Sequence, residues 1–324
     1  MNVLLVGLGR WGEQHLRVLR ELGATVWVAD MTAERRQWAI ARGVDPAHAV
    51  GDYRDALERV DAVDIVTPAD SHFAIAETCL RAGKPCFVEK PLTRTVKEGR
   101  RLTAIAAETG RIVQVGHIFR FHPVTAVLAE TLAAGRIGVV RYAMGRFSGF
   151  KRPRTDVGVF QTDGIHYADL FRVLLRRDPT AVSAVQRDFL GRGLDDFSLV
   201  TVHYGDVPVT IEANYFVPGT QRECVIVGEA GSLVADYGAA TVTLHAGVHR
   251  QAGPRWEAVD TGKEDLATSD TEPLRLELEA FVDACAGRRA APVTAADGLI
   301  ALEVVEAAAR STALSRLVLL AETR

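Results

Sequence analysis

Short apolar runs alternate with amphipathic stretches over residues 2 to about 115. Runs that are rich in β-branched residues and continuously apolar are typical of strands buried on both faces of a parallel sheet. The stretches between them are long enough for crossover helices, so the pattern predicts a doubly wound α/β sheet. The predicted strands are Val3–Val6, Thr25–Val28, Val63–Val66, Cys86–Val88 and Ile112–Val115.

Beyond Pro123 the strand-like runs follow one another at short spacing. Turn sequences such as Tyr204-Gly205-Asp206 separate them, which favours antiparallel pairing over crossover connections. We therefore predict two domains. The first is a doubly wound parallel α/β sheet over residues 1–120, and the second is an α+β domain on a mostly antiparallel open sheet over residues 121–324. The C-terminal helices of the second domain are expected to pack back on its sheet or on the first domain. The later strands are predicted at 138–149, 180–190, 196–204, 207–215, 222–228 and 241–245, and helices at 71–82, 123–134, 272–287 and 294–314.

Composition narrows the class of protein. The 324 residues agree with two domains of about 150 residues each. The 38 basic and 41 acidic side chains leave a net charge of −3, too near neutral for a nucleic-acid binder that neutralises phosphates. No apolar run approaches the roughly 18 residues of a membrane span, so we expect a cytoplasmic protein without a membrane partner. The 4 cysteines form no CxxC pair, and no metal site is expected.

A glycine-rich turn follows the first predicted strand and opens a helical stretch. Gly7 allows the tight turn, Gly9 lets the backbone approach a pyrophosphate, and Gly12 permits close packing of the helix on the strand. This order of strand, glycines and helix is the fingerprint of a Rossmann dinucleotide-binding domain. The predicted cofactor contacts in the turn are Gly7, Gly9, Arg10, Trp11 and Gly12.

An acidic residue, Asp30, stands at the end of the second strand. A carboxylate at this position accepts hydrogen bonds from an adenosine ribose and repels a 2′-phosphate. NAD is therefore expected in preference to NADP, with Arg35 and Arg36 close enough to leave NADP as the alternative. Flavin cofactors use the same fingerprint, so the motif alone does not name the cofactor.

Two further strand ends carry polar residues at the edge where doubly wound sheets bind ligands. The third strand runs into Thr67-Pro68-Ala69-Asp70-Ser71-His72, and the fourth into Glu89-Lys90-Pro91-Leu92. Beside a nicotinamide, the Lys90 ammonium would stabilise a developing alkoxide and take part in proton transfer. Glu89 pairs with Lys90 or anchors the turn, while His72 contacts the cofactor or simply begins the next helix. The cofactor contacts predicted here are Thr67, Pro68, His72, Glu89 and Lys90.

Taken in order, these motifs resemble the glucose-fructose oxidoreductase and inositol dehydrogenase family, also called Gfo/Idh/MocA. The resemblance spans nearly the whole chain. It implies a nicotinamide-dependent dehydrogenase, a cis Lys90–Pro91 peptide, and homodimers or homotetramers that use the exposed face of the second sheet. It also implies that residues 116–123 lead out of the nucleotide domain, where Arg120 contacts substrate or is structural.

The same resemblance identifies a histidine in the second domain. The family usually carries Asp, three residues and then His at the start of a helix, and His166 matches that histidine. An imidazole can accept the hydroxyl proton, with Lys90 supporting it electrostatically. This chain departs from the family pattern at the acid. Thr162 stands four residues before His166, where the family usually has Asp, and the nearest preceding carboxylate, Asp163, stands three residues before it. Either side chain could orient the imidazole, or Asp163 could instead cap the helix.

A basic run, Lys151-Arg152-Pro153-Arg154, leads to His166. These cations suit a substrate that carries phosphate or carboxylate, although a solvated loop or a subunit contact is the alternative. The substrate contacts predicted in all are Lys90, Arg120, Lys151, Arg152, Arg154, Asp163 and His166.

The sequence thus predicts an NAD(P)-dependent oxidoreductase. It would transfer a hydride between the nicotinamide and a secondary alcohol or ketone of a sugar, an activated sugar or a cyclitol, with Lys90 and His166 in proton transfer. One alternative is an NAD-dependent glycosidase that cycles its cofactor without net release of NADH. A second is a non-catalytic dinucleotide-binding regulator of the same fold.

Overall fold

The computed structural model describes residues Met1–Thr323, and the chain forms two compact units. The first contains Met1–Ile118 and Glu272–Leu302, and the second contains Phe119–Thr271 and the described residues from Glu303 onward. The sequence-based division stood at residue 120, with residues 121–324 as the second domain. In the structure the chain leaves the first unit after Ile118 and returns to it for Glu272–Leu302.

The first unit is built on a six-stranded parallel sheet of order β3-β2-β1-β4-β5-β6. All five predicted strands are confirmed, and the two-residue strand β3 is an addition at the sheet edge. The elements are β1 Asn2–Val6, α1 Arg10–Glu21, β2 Thr25–Ala29, α2 Ala33–Ile40, β3 Ala49–Val50, β4 Ala62–Ile65, α3 Ala69–Arg81, β5 Cys86–Glu89, α4 Val96–Thr109 and β6 Val113–Gly116.

Strand order reverses next to β1, so the carboxyl ends of β1, β4 and β5 come together at one edge. Such a reversal is where doubly wound sheets bind ligands. Local sequence fixes the element that follows β5. Thr95 and Glu98 form a capping box at the start of α4, and Gly110 ends that helix in the left-handed region at φ 63°.

The second unit is built on a nine-stranded sheet of order β14-β13-β12-β11-β7-β10-β9-β8-β15. The neighbours β7 and β10 run parallel, and the other pairs are antiparallel, as predicted. The elements of this unit are α5 Pro123–Ala133, β7 Val140–Gly149, α6 Ile165–Leu175, β8 Ala181–Arg187, β9 Phe197–Tyr204, β10 Val207–Asn214, β11 Thr220–Gly228, β12 Gly231–Asp236, β13 Thr241–Ala252, β14 Arg255–Leu266 and β15 Val318–Leu319. Helix α7, Pro273–Cys285, belongs to the first unit, and helix α8, Ala295–Leu314, begins in the first unit and ends in the second.

The predicted strands of this unit were incomplete, because strands β12, β14 and β15 were not among them. The strand expected over 241–245 continues to Ala252, and the residues that pair with it, Arg255–Leu266, form a strand that the sequence pattern missed. Most side chains of this hairpin are exposed on both faces. A strand without a buried face shows no alternation of apolar and polar residues, which removes the signal that predicts strands.

Elements distant in sequence complete the core of the first unit. Helix α7 brings Leu278 and Phe281 into the same apolar cluster as Leu19 of α1 and Phe87 of β5. The rings of Phe87 and Phe281 meet edge to face at 5.7 Å. The predicted C-terminal helix therefore serves as part of the nucleotide unit's core. Within residues 1–323, no helix is long and apolar enough to cross a membrane.

A close approach of α6 to the second sheet fixes the helix that carries His166. The ring of Tyr167 fills the space above Gly145 in β7, where a Cβ atom would lie 2.6 Å from the ring. The Tyr167 hydroxyl donates to the carbonyl of Arg146 at 3.0 Å. Any side chain at position 145 would push the helix away from the strand.

We predict that Gly145→Ala lowers the free energy of unfolding by about 1–3 kcal/mol, because the added methyl overpacks against Tyr167. Urea denaturation followed by circular dichroism measures the change. Gly51→Ala is the control, since its Cβ would meet only the Arg36 side chain at an ordinary 3.7 Å. Equal stability of the two variants would contradict the packing argument.

Candidate active site

The glycine turn after β1 has the shape that a dinucleotide requires. Gly7 has φ 98°, and a Cβ atom there would lie 2.7 Å from the carbonyl oxygen of Val66. A Cβ atom on Gly12 would lie 2.1 Å from the carbonyl oxygen of Gly7, so α1 rests directly on the turn. At Gly9 a Cβ atom would meet nothing within 4 Å, and this residue caps α1 without a side-chain hydrogen bond. Open space and free helix amides at this point suit a pyrophosphate.

Asp30 ties the glycine turn to the end of β2. Its carboxylate accepts hydrogen bonds from the backbone amides of Leu8 and Thr32, each at 2.8 Å. Arg35 donates to the carbonyl of Leu8 at 2.6 Å, and Arg36 donates to the carbonyl of Asp30 at 2.6 Å. Both arginines are thus engaged with the backbone, and a 2′-phosphate would bring negative charge against the Asp30 carboxylate. The residues of this unit fit NAD.

His72 joins the ends of β4 and β5. Its ring is buried at the start of α3, with Nδ1 2.8 Å from the carbonyl of Pro91 and Nε2 2.8 Å from the carbonyl of Thr67. Ser71 donates to the Thr67 hydroxyl at 2.7 Å, which secures the same turn. Pro68 directly precedes α3. The two strand-end motifs found in the sequence are therefore neighbours in the structure, and His72 holds them together.

Glu89 connects the glycine turn to Lys90. Its Oε1 atom accepts from the indole nitrogen of Trp11 at 2.8 Å, and its Oε2 atom accepts from the backbone amide of Lys90 at 3.0 Å. The Lys90–Pro91 peptide is cis, as the resemblance implied. Of the predicted cofactor contacts, Trp11, Glu89 and Lys90 are thus brought together in one part of the first unit.

Two buried residues next to Glu89, His15 and Asp64, were not predicted from the sequence as part of the site. His15, on the buried face of α1, places Nδ1 2.8 Å from Asp64 of β4 and Nε2 3.4 Å from Glu89. The signal was present in the sequence, because Asp64 interrupts an otherwise apolar buried strand. A carboxylate in such a strand requires a partner.

In the second unit, His166 is buried in the first turn of α6 and stacked among aromatic rings. Its ring centroid lies 4.7 Å from that of Phe119 and 5.6 Å from that of Phe147, with nearly parallel planes. Stacking on two rings fixes the plane of the imidazole and leaves the nitrogen atoms at its edge. This is a suitable arrangement for directed proton transfer.

The residues before His166 form one π-helical turn, Phe160–Gly164. Asp163 is buried in this turn and ion-paired with Lys151 at 2.7 Å, while the Thr162 hydroxyl donates to the carbonyl of Gly158 at 2.8 Å. Gly164 caps α6 without a side-chain hydrogen bond, so Asp163 is not the helix cap.

Several of the predicted substrate cations have acidic partners. Arg154 pairs with Asp156, with Nε 2.8 Å from Oδ1, and Arg120 pairs with the buried Asp169, with Nε 2.7 Å from Oδ2. Lys151 is paired with Asp163, so two of the three cations of the basic run, Lys151 and Arg154, are neutralised. Arg152 is exposed.

A guanidinium outside the basic run was missed in the sequence. Arg222 of β11 lies over the ring of Phe147 at 3.3 Å and donates to the carbonyl of Ser148 at 2.8 Å. Burial lowers its pKa. Among the described residues Arg222 forms no ion pair, although the charges of Asp163 and Asp236 act on it and oppose the fall in its pKa.

The glycine turn yields a prediction with two separable outcomes. Gly9→Ala should weaken NAD binding by about 10-fold or more and leave the melting temperature of the free protein unchanged, because its methyl enters only the open space. Gly12→Ala should lower the melting temperature as well, because its methyl meets the Gly7 carbonyl. Thermal unfolding and NAD titration by calorimetry measure both effects, and a destabilised Gly9→Ala protein would contradict the assignment.

Comparison with known proteins agrees with this geometry. Residues 1–117 match a family model described as "Oxidoreductase family, NAD-binding Rossmann fold", and residues 125–234 match the GFO/IDH/MocA C-terminal domain. Inositol 2-dehydrogenase 1 of Saccharopolyspora erythraea is 31% identical, with 96% of this chain and 94% of the relative covered. The UDP-N-acetylglucosamine 3-dehydrogenase of Acidithiobacillus ferrooxidans is 31% identical, with 89% and 93% covered.

A solved structure of a UDP-N-acetylglucosamine 3-dehydrogenase from Acidithiobacillus ferrooxidans superimposes with a TM-score of 0.80 at 26% identity, covering 97% of this chain and 98% of that chain. Sequence, fold and the geometry of the glycine turn lead to one conclusion. The chain belongs to the Gfo/Idh/MocA family of NAD-binding oxidoreductases.

Proposed function

We propose that the protein is an NAD-dependent dehydrogenase that oxidises a secondary alcohol of a cyclitol or a nucleotide-linked sugar. The observation that carries this proposal is the Glu89 carboxylate, which bonds both Trp11 of the cofactor turn and the backbone of Lys90. This connection between the backbone of Lys90 and the cofactor turn supports a role for Lys90 at the group that is oxidised. The names of the relatives, an inositol dehydrogenase and a UDP-N-acetylglucosamine dehydrogenase, support the two substrate classes.

The proposed reaction assigns one role to each of two residues. When bound, NAD supplies the acceptor for the hydride that leaves the carbinol carbon. As the C–H bond breaks, negative charge develops on the alcohol oxygen, and the Lys90 ammonium stabilises it. A ring nitrogen of His166 accepts the hydroxyl proton, so the alcohol loses a hydride and a proton and becomes a ketone. In the reverse direction His166 returns the proton.

We propose a supporting role for the acids and cations near His166. Asp163, ion-paired with Lys151, orients the turn that leads to His166, and Thr162 fixes the same turn through its hydrogen bond to Gly158. For an anionic substrate, we propose that Arg222 and Arg152 provide the binding charge, because Arg154 is neutralised by Asp156. Arg120, paired with Asp169, would act on substrate only by shaping the unit.

A substrate panel tests the proposal directly. Purified protein is incubated with NAD and either inositols, free sugars, sugar phosphates or UDP-linked sugars, and the absorbance of NADH is followed. Net NADH formation with a cyclitol or a nucleotide-linked sugar is expected. Bond cleavage of a glycoside without net NADH would instead identify the redox-cycling glycosidase, and binding of NAD and sugar without turnover would identify a regulator.

For the substrate that this panel identifies, we predict that Lys90→Met and His166→Asn each lower kcat/KM by about 100- to 10,000-fold. Both variants should keep the wild-type melting temperature within a few degrees and still bind NAD. Lys97→Met, which removes an exposed lysine of α4, is the matched control and should retain full activity. Activity of Lys90→Met at the level of Lys97→Met would refute the assignment of Lys90.

We also propose that the protein forms a homodimer or homotetramer through the exposed face of the second sheet. Val234 of β12 and Met144 of β7 flank Val225 of β11 in register, and Val234 and Met144 are 41% and 46% exposed. Tyr142, Leu199 and Val185 are exposed as well. On the same face Arg146 of β7 is ion-paired with Glu212 and Glu223 between these apolar residues. Exposed apolar side chains with polar neighbours are typical of a self-association surface.

We predict that the double substitution Met144→Glu and Val234→Glu converts the assembly to monomers, because it introduces charge into a buried apolar contact. Light scattering coupled to size-exclusion chromatography measures the mass. Leu314→Glu is the control, because it introduces a glutamate at another exposed apolar position, at the end of α8. It should leave the mass of the assembly unchanged. Assemblies of wild-type mass in the double variant would show that this face is not the interface.

A further inference from the structure

Three ionisable side chains form a closed cluster inside the first unit. His15 lies between Asp64 and Glu89, with its two ring nitrogens 2.8 Å and 3.4 Å from their respective carboxylates. His15 and Asp64 are 0% exposed and Glu89 is 7% exposed. The rings of Trp11 and Phe87 enclose the imidazole edge to face at 5.8 Å and 5.6 Å. Burial keeps water away from these side chains, so their charges depend on one another. The contact of His15 Nε2 with Glu89 is an ion-pair contact and not a hydrogen bond.

Each member of the cluster occupies a position where an apolar residue would be expected. His15 lies on the face of α1 that also buries Leu16 and Leu19, and Asp64 is paired in the sheet with Leu5 on one side and Phe87 on the other. Burying ions here is costly compared with a well-packed apolar core. The cluster is thus poorly explained as a means of stabilising the fold.

The surroundings of His15 favour its cationic form. Burial would lower the pKa of His15, but the charge and hydrogen bond of Asp64 and the nearby Glu89 carboxylate outweigh it and raise the pKa to about 10. Burial also opposes ionisation of Glu89, yet His15 and the charge of Lys90 lower the pKa of Glu89. Burial raises the pKa of Asp64, although the charge and the hydrogen bond of His15 oppose that rise. The directions for His15 and Glu89 thus favour an imidazolium that faces the Glu89 carboxylate.

Glu89 has little freedom to move within this cluster. Trp11 donates to its Oε1 atom, the Lys90 amide donates to its Oε2 atom, and His15 faces Oε1 from the helix side. On the opposite side stands Gly116 of β6, where a Cβ atom would lie 2.9 Å from Oε1. The carboxylate is enclosed on all these sides, and it sets the point at which the backbone of Lys90 leaves the sheet.

We propose that His15 is a positioning residue for catalysis, whose positive charge holds Glu89 and thereby fixes Lys90 and Trp11 for turnover. The inference rests on the proposed role of Lys90. His15 does not touch the substrate and acts through Glu89 alone. The charged groups that face it are Asp64 from β4 and Glu89 from β5, and Lys90 adjoins Glu89.

The proposal requires His15 to be charged in the wild-type protein. Nitrogen NMR of the ¹⁵N-labelled imidazole should show both ring nitrogens protonated at about pH 8, where an ordinary histidine is neutral. This measurement needs neither substrate nor a variant. A neutral His15 ring at that pH would overturn the proposal outright.

The consequences are tested with His15→Asn, which retains a donor toward Asp64 but has no charge. We expect kcat to fall about 10- to 100-fold with less than about a 3-fold change in NAD affinity, and the pH profile of kcat/KM to move to higher pH, because loss of a nearby cation favours the ammonium form of Lys90. His15→Gln, whose amide reaches toward Glu89, should recover part of kcat and keep the shifted profile.

Leu19→Ala is the matched control, since it removes a buried side chain from the same helix without changing any charge. It should lower the melting temperature and leave the pH profile in place. If His15→Asn behaves like Leu19→Ala, His15 is merely structural and the proposal is wrong. If His15→Asn does not fold, His15→Gln and the wild-type nitrogen spectrum decide the matter.

Failure of the proposed function can be recognised separately. The Cε signal of Lys90, assigned by its loss in Lys90→Met, is titrated in ¹³C-lysine-labelled protein without substrate. A higher titration midpoint in His15→Asn supports the coupling whether or not Lys90 proves catalytic, and an unchanged midpoint overturns it. Retained activity of Lys90→Met would instead refute the catalytic role of Lys90, and the coupling between His15 and Lys90 would still be judged by this titration.

Discussion

The contact between Gly12 and the carbonyl of Gly7 is the constraint on which the nucleotide unit depends. It allows α1 to rest directly on the turn after β1, at a distance that no side chain would permit. Because α1 lies so close, His15 reaches Asp64 and Trp11 reaches Glu89. The absence of a side chain on Gly12 thus allows both the space for a dinucleotide and the contacts of His15 and Trp11 with the carboxylates next to Lys90.

Local patterns were sufficient to predict the elements that build this unit. The strands of the first sheet are buried on both faces, so they appear in the sequence as apolar runs, and the glycine turn, Asp30 and Lys90 follow them at short distances along the chain. Contacts between remote residues were beyond such patterns. His15 and Asp64 are 49 positions apart, and only the fold reveals that they are partners.

In the second unit, too, contacts between remote residues could not be predicted from the sequence. The family resemblance identified His166 at the start of a helix, but the rings that stack on it, Phe119 and Phe147, come from separate segments. The basic run was visible as a group of cations, whereas their neutralisation by Asp156 and Asp163 depends on side-chain geometry. Strands exposed on both faces, such as β14, were missed because burial is what produces a periodic pattern.

The pairing of Arg154 with Asp156 has a consequence for how such a loop can change during evolution. In the proposed function, substrate charge is bound by the guanidinium groups that lack an acidic partner, so selectivity would depend on the acids as much as on the arginines. Exchange of one aspartate for a neutral residue would add a unit of positive potential to the loop while every basic side chain stayed in place. Preference for neutral or anionic ligands could thus diverge between relatives whose arginines are the same.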